Sequence, residues 1–321
     1  MPTFSTAHLD LEEAYRREHY EGFESLLGPL IENNDFLRVA AVLPSNNGAN
    51  HKTLVANKLG TGGFRGPYQP IKNMASETSV VSEPIVSYEG TSDVDQLIID
   101  GAPDPYLARM SEDSMNLQGF SNGFNKALLY TVAKAENQNF SGLAGRRKAL
   151  GKNVYDCGGT AANALSSMYL VEFGELALAL RYMAGTMPGI HAQDMGLQKC
   201  TPESGSGYFY GWSMYYKINF GITIRQEAAL QRFANIDPET TVTTELLKKV
   251  IKAKNKLPSK GNRAFLFANS DVRTLLDIEV LEKAGNTLSI RDIEGYGPVT
   301  HFLNIPVLQM DAISSTEAKL N

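Results

Sequence analysis

A chain of 321 residues with 43 % hydrophobic and 20 % charged residues, 28 glycines and 14 prolines has ordinary globular composition, which excludes collagen-like, disordered and coiled-coil classes. At about 150 residues per domain it holds roughly two structural units and can bury a sizeable core. The net charge of -5 has the wrong sign for a protein that holds nucleic acid by neutralising phosphates, and its two cysteines, Cys157 and Cys200, build neither a disulfide framework nor a zinc site alone, which suits a reducing compartment.

The charge imbalance is local: residues 1 to 40 hold eight acids and three bases, and the remaining 281 residues hold 27 of each. Met1 to Tyr20 is polar and shows no secretory signal, so the protein is expected to start in the cytoplasm. Asp10 and Glu13 form a capping box ahead of a loose stripe of Leu11, Ala14, Tyr15, Phe23, Leu26, Leu27 and Leu30. Residues 11 to 31 are therefore predicted helical, but Gly22 and Gly28-Pro29 break the rod and the segment reads as an extended arm. Residues 44 to 73 carry Pro44, Asn46-Asn47-Gly48, Gly60-Thr61-Gly62-Gly63, Gly66-Pro67 and Pro70, too much punctuation for a packed layer. With Thr53 to Ala56 going out and Thr78 to Tyr88 returning, residues 46 to 92 are predicted to form a long Gly-rich hairpin. Asp93 and Asp95 alternate, and read as a polar strand face or the start of a helix.

Asp104-Pro105 is a helix start, with Asp as cap and Pro in the first position, and no decisive break follows until Asn137. Some thirty residues would span about 45 Å. Leu107, Met110, Ser114, Leu117, Phe120, Phe124, Leu128 and Thr131 mark one buried stripe of this spine. Ser141 to Gly159 is basic and Gly-rich, with Arg146, Arg147, Lys148 and Lys152. Met168 to Phe173 and Leu176 to Met183 flank Gly174-Glu175 and are predicted as a hairpin, with a helix as the alternative. The same run is the most apolar in the chain, yet Glu172, Glu175 and Arg181 interrupt it and it is too short to cross a bilayer, so no membrane span is expected. Tyr208 to Ile224 reads as strand. Asp237-Pro238 opens a helical region with Leu246, Leu247, Val250, Ile251 and Leu257 facing inward. Ala264 to Phe267 is a buried strand, and Ser270 caps a helix ending near Gly285. Thr287 to Ile293, a turn through Gly295-Tyr296-Gly297-Pro298, and His301 to Met310 close a mixed α and β second half without internal repeats.

Residues able to do chemistry do not assemble into a motif. In Gly145 to Lys152 five residues separate the glycines and Asn153 follows the lysine, which misses a phosphate loop. In Gly60 to Gly66, Arg65 stands where the dinucleotide fingerprint needs its third glycine. Gly205-Ser206-Gly207 lacks the frame of a nucleophile elbow. His191 and Asp194 lie three apart without a second histidine, and His191 reads as a solvated loop residue. No catalytic residue, metal ligand or cofactor is expected, and the chain is read as a non-enzyme. The sharpest charge feature is seven bases and no acid between Leu246 and Arg263. Lys248, Lys252 and Lys256 repeat every four residues and share a helical face opposite Leu247 and Ile251. That face is either solvated, or a contact with the acidic N-terminal segment of another subunit or with phosphates.

Projecting arms and hairpins leave backbone and apolar groups without partners unless another chain supplies them, which argues for an obligate assembly. With these parts in place, the sequence resembles the major capsid proteins of tailed bacteriophages, of the Hong Kong 97-like α+β fold, over about residues 50 to 317. Gly62-Gly63-Phe64-Arg65 through Asn73-Met74-Ala75 to Val80 and Glu89 to Ile99 are similar to the family's hairpin loop and its return. Ala108 to Asp113 is similar to the start of its spine helix, and Phe140 to Ala144 to the loop after it. Asp156 to Thr160, Tyr169 to Gly174, Phe233 to Asp237, Phe267 to Arg273, Ile305-Pro306-Val307, Asp311-Ala312-Ile313 and Thr316-Glu317-Ala318 follow in the family's order. Arg181 to Gly196, with Met183, Met187 and Pro188, departs from the Lys and Gly pattern of the axial loop.

The resemblance implies a virion protein whose copies form hexamers and pentamers of an icosahedral head around double-stranded DNA, contacted weakly and without sequence specificity. It implies an N-terminal arm (1–45), an E-loop hairpin (46–92), a peripheral domain with the spine helix (93–165), an axial domain with adjoining peripheral elements (166–295) and a C-terminal return to the peripheral domain (296–321). Asp10, Glu13, Arg65, Lys72, Lys248, Lys252 and Lys256 are the expected subunit contacts. Portal, scaffolding and decoration proteins are the expected partners, with no membrane. The alternatives are an encapsulin-like compartment and, further off, a soluble hydrolase or nucleotide-binding enzyme.

Overall fold

The computed structural model describes residues 35–201, 207–241, 243–259, 261–281, 288–293 and 297–321. The helix expected over residues 11 to 31, with Asp10 and Glu13, lies outside the described residues. Helix α1 (Asp35–Val39) and strand β1 (Val42–Pro44) precede the hairpin strands β2 (Asn50–Lys58) and β3 (Glu77–Pro84), and β4 (Val86–Asp95) returns to the body. Helices α2 (Gln96–Asp100), α3 (Pro105–Tyr130) and α4 (Leu143–Arg146) follow, with β5 (Val154–Asp156), β6 (Ser166–Glu172), β7 (Leu178–Tyr182), β8 (Ile190–Cys200), β9 (Phe209–Ile224) and β10 (Leu230–Ile236). Helix α5 (Thr243–Lys254), β11 (Ala264–Ala268), helix α6 (Ser270–Leu281), β12 (Leu288–Ile293), β13 (Gly297–Phe302) and β14 (Ile305–Gln309) complete the order.

Two sheets form the body. The first runs β1-β7-β9-β4, with β8 also paired to β9. The 16-residue β9 organises it, because residues 209 to 218 hold β8 and residues 221 to 224 hold β7 on the same edge. The second runs β12-β13-β14-β11-β6-β10-β5. Every residue of β6, β10 and β11 is buried, as expected of strands covered on both faces. Tyr169 and Val171 of β6 enter a core with α1, α3 and the first sheet. Met168 and Leu170 point the other way, into a core closed by α5 and α6.

The strands predicted on either side of Gly174 exist, but they do not pair. β10 and β11 already occupy both edges of β6, so no edge is left for β7. The chain turns where the Gly174 N–H donates to the Leu178 carbonyl (2.9 Å) and delivers β7 to the other sheet.

The spine helix starts as predicted, with Asp104 Oδ1 accepting from the Tyr106 N–H (3.0 Å). It stops at Tyr130, short of Asn137. Gln138 and Asn139 have positive φ (52° and 62°), and the chain folds back so that the Gly142 N–H caps the Thr131 carbonyl (2.8 Å). Any Cβ at Gly142 would lie 2.6 Å from the carbonyl oxygens of Leu128 and Leu129, so only glycine fits this C-terminal closure. The buried stripe is Leu117, Ser121, Phe124, Asn125, Leu128 and Leu129. Met110 and Ser114, expected on it, are exposed, because the first half of the helix turns Arg109 and Asp113 rather than these residues towards the first sheet.

Other boundaries shift for local reasons. α5 begins at Thr243 because Asp237 closes a turn instead, accepting from the Glu239 N–H (3.1 Å) and the Thr240 hydroxyl (2.6 Å). Asn269, not Ser270, caps α6, through the Val272 N–H (3.0 Å). Gly297 and Pro298 already belong to β13, and the single strand expected over 301 to 310 is a hairpin turned at Leu303 and Asn304, both at positive φ. His191 sits on β8 rather than a loop, in a strand whose alternation is broken by a bulge between Asp194 and Gly196 (φ 72°).

Candidate assembly surface

The β2–β3 hairpin is a sheet of two strands, joined by residues 59 to 76 without regular structure. Two strands alone are marginal in water. Its outer part nonetheless displays Leu59, Phe64, Tyr68, Ile71 and Met74 to solvent, with Phe64 and Tyr68 fully exposed. An apolar surface of this kind marks a contact site. A second bare apolar surface runs over α2 and the first half of α3, through Leu97, Ile98, Tyr106, Met110 and Met115.

The base of the hairpin, by contrast, is firmly tied. Asn46 brackets Lys52, with Nδ2 donating to its carbonyl and Oδ1 accepting from its N–H (both 2.8 Å). Ser45 Oγ donates to the Gly48 carbonyl (2.6 Å), and the Ile85 N–H donates to the Ala49 carbonyl (2.8 Å). Glu83, buried on β3, is ion-paired with Arg146 of α4, whose Nη2 also donates to the Ile222 carbonyl (2.9 Å). Burial pushes the Glu83 carboxyl above its ordinary value, partly offset by Arg146. Burial also draws the cross-strand His51 below 6.5, with Arg181 adding to the effect. A rigid root with an uncovered shaft is what a limb that docks on another molecule requires.

Arg109 fixes the spine helix to the first sheet: Nη2 donates to Asp194 Oδ1 (2.6 Å), Nε lies 3.6 Å from Asp113, and the guanidinium covers the Trp212 ring at 4.8 Å. Glu317 ties down the C-terminal segment. Its Oε1 accepts from the Tyr130 hydroxyl (2.6 Å), and its Oε2 accepts from Arg232 Nη2 (2.9 Å) and from the Ser167 hydroxyl.

Arg65 and Lys72 lie on the exposed 59–76 segment without an ion pair among the described residues. Lys248 pairs with Glu245 (2.6 Å) at the surface, and Lys252 projects without a partner among the described residues. Lys256 does not share their face. It lies in the tightened turn after α5 and donates to the Tyr155 hydroxyl (2.8 Å) and the Lys152 carbonyl (3.1 Å), so of the three lysines expected to align only Lys252 is without a partner among the described residues. Asp93 accepts from Ser213 (2.6 Å) and Asp95 caps α2, so strand face and helix start are both realised. His191 hydrogen-bonds the Met187 carbonyl (2.9 Å) and is not joined to Asp194. Cys157 and Cys200 are free and buried, and burial pushes the Cys157 thiol up to about 12. Among the described residues no three His, Cys, Asp or Glu side chains are grouped to hold a metal ion, and no helix is long and apolar enough to cross a membrane.

Sequence reasoning missed Glu317, Arg232, Glu83 and Arg146 as interior residues. Local patterns treat charges as surface groups, and the strands that bury these four come from distant parts of the chain.

A two-sheet body with a spine helix and a projecting hairpin is the fold of tailed-phage capsid subunits. A chain of the bacteriophage Epsilon15 structure superposes with a TM-score of 0.65 at 22 % identity, over 100 % of this chain and 99 % of that one. The bacteriophage JBD30 capsid reaches 0.49 at 15 % identity (92 % and 96 %), and the SrpI encapsulin of Synechococcus elongatus PCC 7942 reaches 0.38 at 9 % identity (63 % and 87 %); similarity of that degree carries no argument. No curated protein matches the chain. The family model described as major capsid protein GP7 matches residues 24–321, and the chain belongs to that family. It is a structural protein of the phage head, and its place is the virion capsid.

Proposed function

We propose that this chain builds an icosahedral head from hexamers and pentamers, enclosing double-stranded DNA without catalysing a reaction. The observation that carries this reading is the hairpin between Asn50 and Pro84, rooted by Glu83 and Arg146 yet apolar and uncovered along its outer half. On this reading residues 46–92 are the E-loop and residues 1–45 the acidic arm; the hairpin beyond its root and the arm ahead of α1 are laid across a neighbouring copy, whereas α1, β1 and β4 stay packed in the chain's own body. Residues 93–165 and the return over 296–321 make the peripheral domain, and residues 166–295 include the axial domain at the capsomer centre. Arg65, Lys72, Lys248 and Lys252 belong to subunit contacts, with Asp10 and Glu13 as acidic counterparts.

The charge distribution suits a container. A shell filled by a packaging machine does not need to attract DNA, and a body with 27 acids and 27 bases outside its first 40 residues does not condense on it. Portal, scaffolding and decoration proteins are the further partners of such a shell. Nuclease treatment of purified particles tests the reading: protected DNA of uniform length supports it, whereas particles that hold only protein cargo move the chain to the encapsulin-like class.

A further inference from the structure

A cavity of about 500 Å³ opens where the hairpin leaves the body, lined by His51, Lys52, Arg181, Thr223, Arg225 and Glu175 among others. Arg181 is only 8 % exposed. Its Nε donates to Thr223 Oγ1 (3.2 Å) and its Nη1 to the Pro44 carbonyl (3.2 Å), and it makes no ion pair with any described carboxylate. Glu83, the nearest buried acid on the hairpin, is committed to Arg146. Glu175 lines the rim but is exposed and does not reach Arg181 as an ion pair. His51, also 8 % exposed, leaves Nδ1 without a hydrogen-bond partner.

A buried guanidinium lacking a counter-charge is expensive, because its desolvation is not repaid by pairing. Burial accordingly pulls Arg181 below its ordinary value, against the opposing fields of Glu175 and Glu83. Guanidinium forks bind carboxylate and phosphate oxygens in bidentate fashion. Two arginines and a lysine face one exposed acid across this cavity, and the imidazole adds a vacant ring nitrogen. We propose that the cavity at the hairpin root is an oxyanion site, in which Arg181 and Arg225 clasp a carboxylate from a neighbouring copy or a free phosphate ion. An anion seated there touches β2, β7 and the end of β9 together, and so fixes the angle at which the hairpin leaves the body.

The test titrates the full-length chain with inorganic phosphate at constant ionic strength made up with chloride, both as unassembled subunits and as shells, and follows thermal unfolding. Unassembled subunits are expected to gain melting temperature saturably with phosphate. Arg225→Gln is expected to weaken the apparent affinity roughly tenfold, as loss of one charge-assisted contact does, and Arg181→Gln to abolish saturation. If Arg181→Gln does not fold, Arg225→Gln still decides, since Arg225 is exposed and makes no side-chain hydrogen bond among the described residues. Shells that no longer respond to phosphate place a neighbour's carboxylate in the cavity; shells that still respond leave it open to the free ion. Subunits that respond to phosphate no more than to chloride, or variants that respond like the natural chain, overturn the proposal. Particle formation is scored separately by electron microscopy, so failure here is distinct from failure of the shell reading.

Discussion

Glu317→Ala removes the residue on which the C-terminal segment, the end of α3 and two strands of the second sheet converge. The side chains of Arg232 and Glu317 are 7 % and 9 % exposed, so the pair is interior and salt screens it little. Deleting the carboxylate leaves the Arg232 guanidinium buried beside the Tyr169 ring at 5.7 Å, and strips an acceptor from Tyr130 and from Ser167. Burial, with Glu317 beside it, keeps the Tyr130 hydroxyl protonated far above its ordinary range, so that donor is permanently present and would be left unpaired. Breaking a buried pair by removing one partner costs about 3–5 kcal/mol. Glu317→Gln keeps the shape and one acceptor and should cost about 1–3 kcal/mol. Adding Arg232→Met to Glu317→Ala should recover part of the loss, because no uncompensated charge then remains. Urea unfolding of unassembled full-length chain, followed by the fluorescence of the single tryptophan, Trp212, measures all three. A Glu317→Ala chain within about 1 kcal/mol of the natural one, or a double variant worse than the single, would refute the interior-latch reasoning.

Phe64→Ser with Tyr68→Ser should leave unfolding of the lone subunit within about 0.5 kcal/mol, because neither ring touches its own body, yet sharply reduce particle yield in sedimentation. Arg65→Glu or Lys72→Glu should lower the denaturant concentration at which assembled particles dissociate; unchanged dissociation would remove both residues from the interface. Gly142→Ala drives a methyl into two spine-helix carbonyls and should destabilise the subunit by about 1–3 kcal/mol in the same urea assay. His51 supplies the pH dependence. Its folded value lies below 6.5, through burial first and Arg181 second, opposed by Glu175, so the folded chain resists a proton that the unfolded chain accepts. Stability at the hairpin root is therefore full above pH 6.5 and declines as pH falls from there towards the folded value. Amides at the root of β2 and β3 should open more readily at about pH 5.5 than at about pH 7.5 by hydrogen exchange, and His51→Gln should abolish the difference.

Much of the architecture is local and hence readable. Asp104-Pro105 announces the spine helix, the aromatic and β-branched run 208 to 224 announces β9, and the glycines between Gly60 and Gly66 mark a loop that leaves the body. What escapes is set by distant partners. The pairing of β6 with β10 and β11 cannot be seen in β6 itself, and adjacency of β6 and β7 in the chain suggests the wrong neighbour. The helix end at Tyr130 depends on how Gly142 packs twelve residues later. The assembly surface follows the same division. Its hairpin is legible from glycine and proline punctuation, whereas the exposure of Phe64 and Tyr68 shows only in the structure, and the Arg181 cavity needs β1, β2, β7 and β9 to be brought together before it exists.

The central claim is that the hairpin is finished only by another copy, and an electron cryomicroscopy map of assembled particles tests it most directly. The account predicts residues 59 to 76 laid over an adjacent subunit, with Phe64 and Tyr68 covered by that subunit's side chains. Particles in which these rings remain in solvent or fold against their own body, or a chain that persists as a stable monomer and forms no particles, would contradict it.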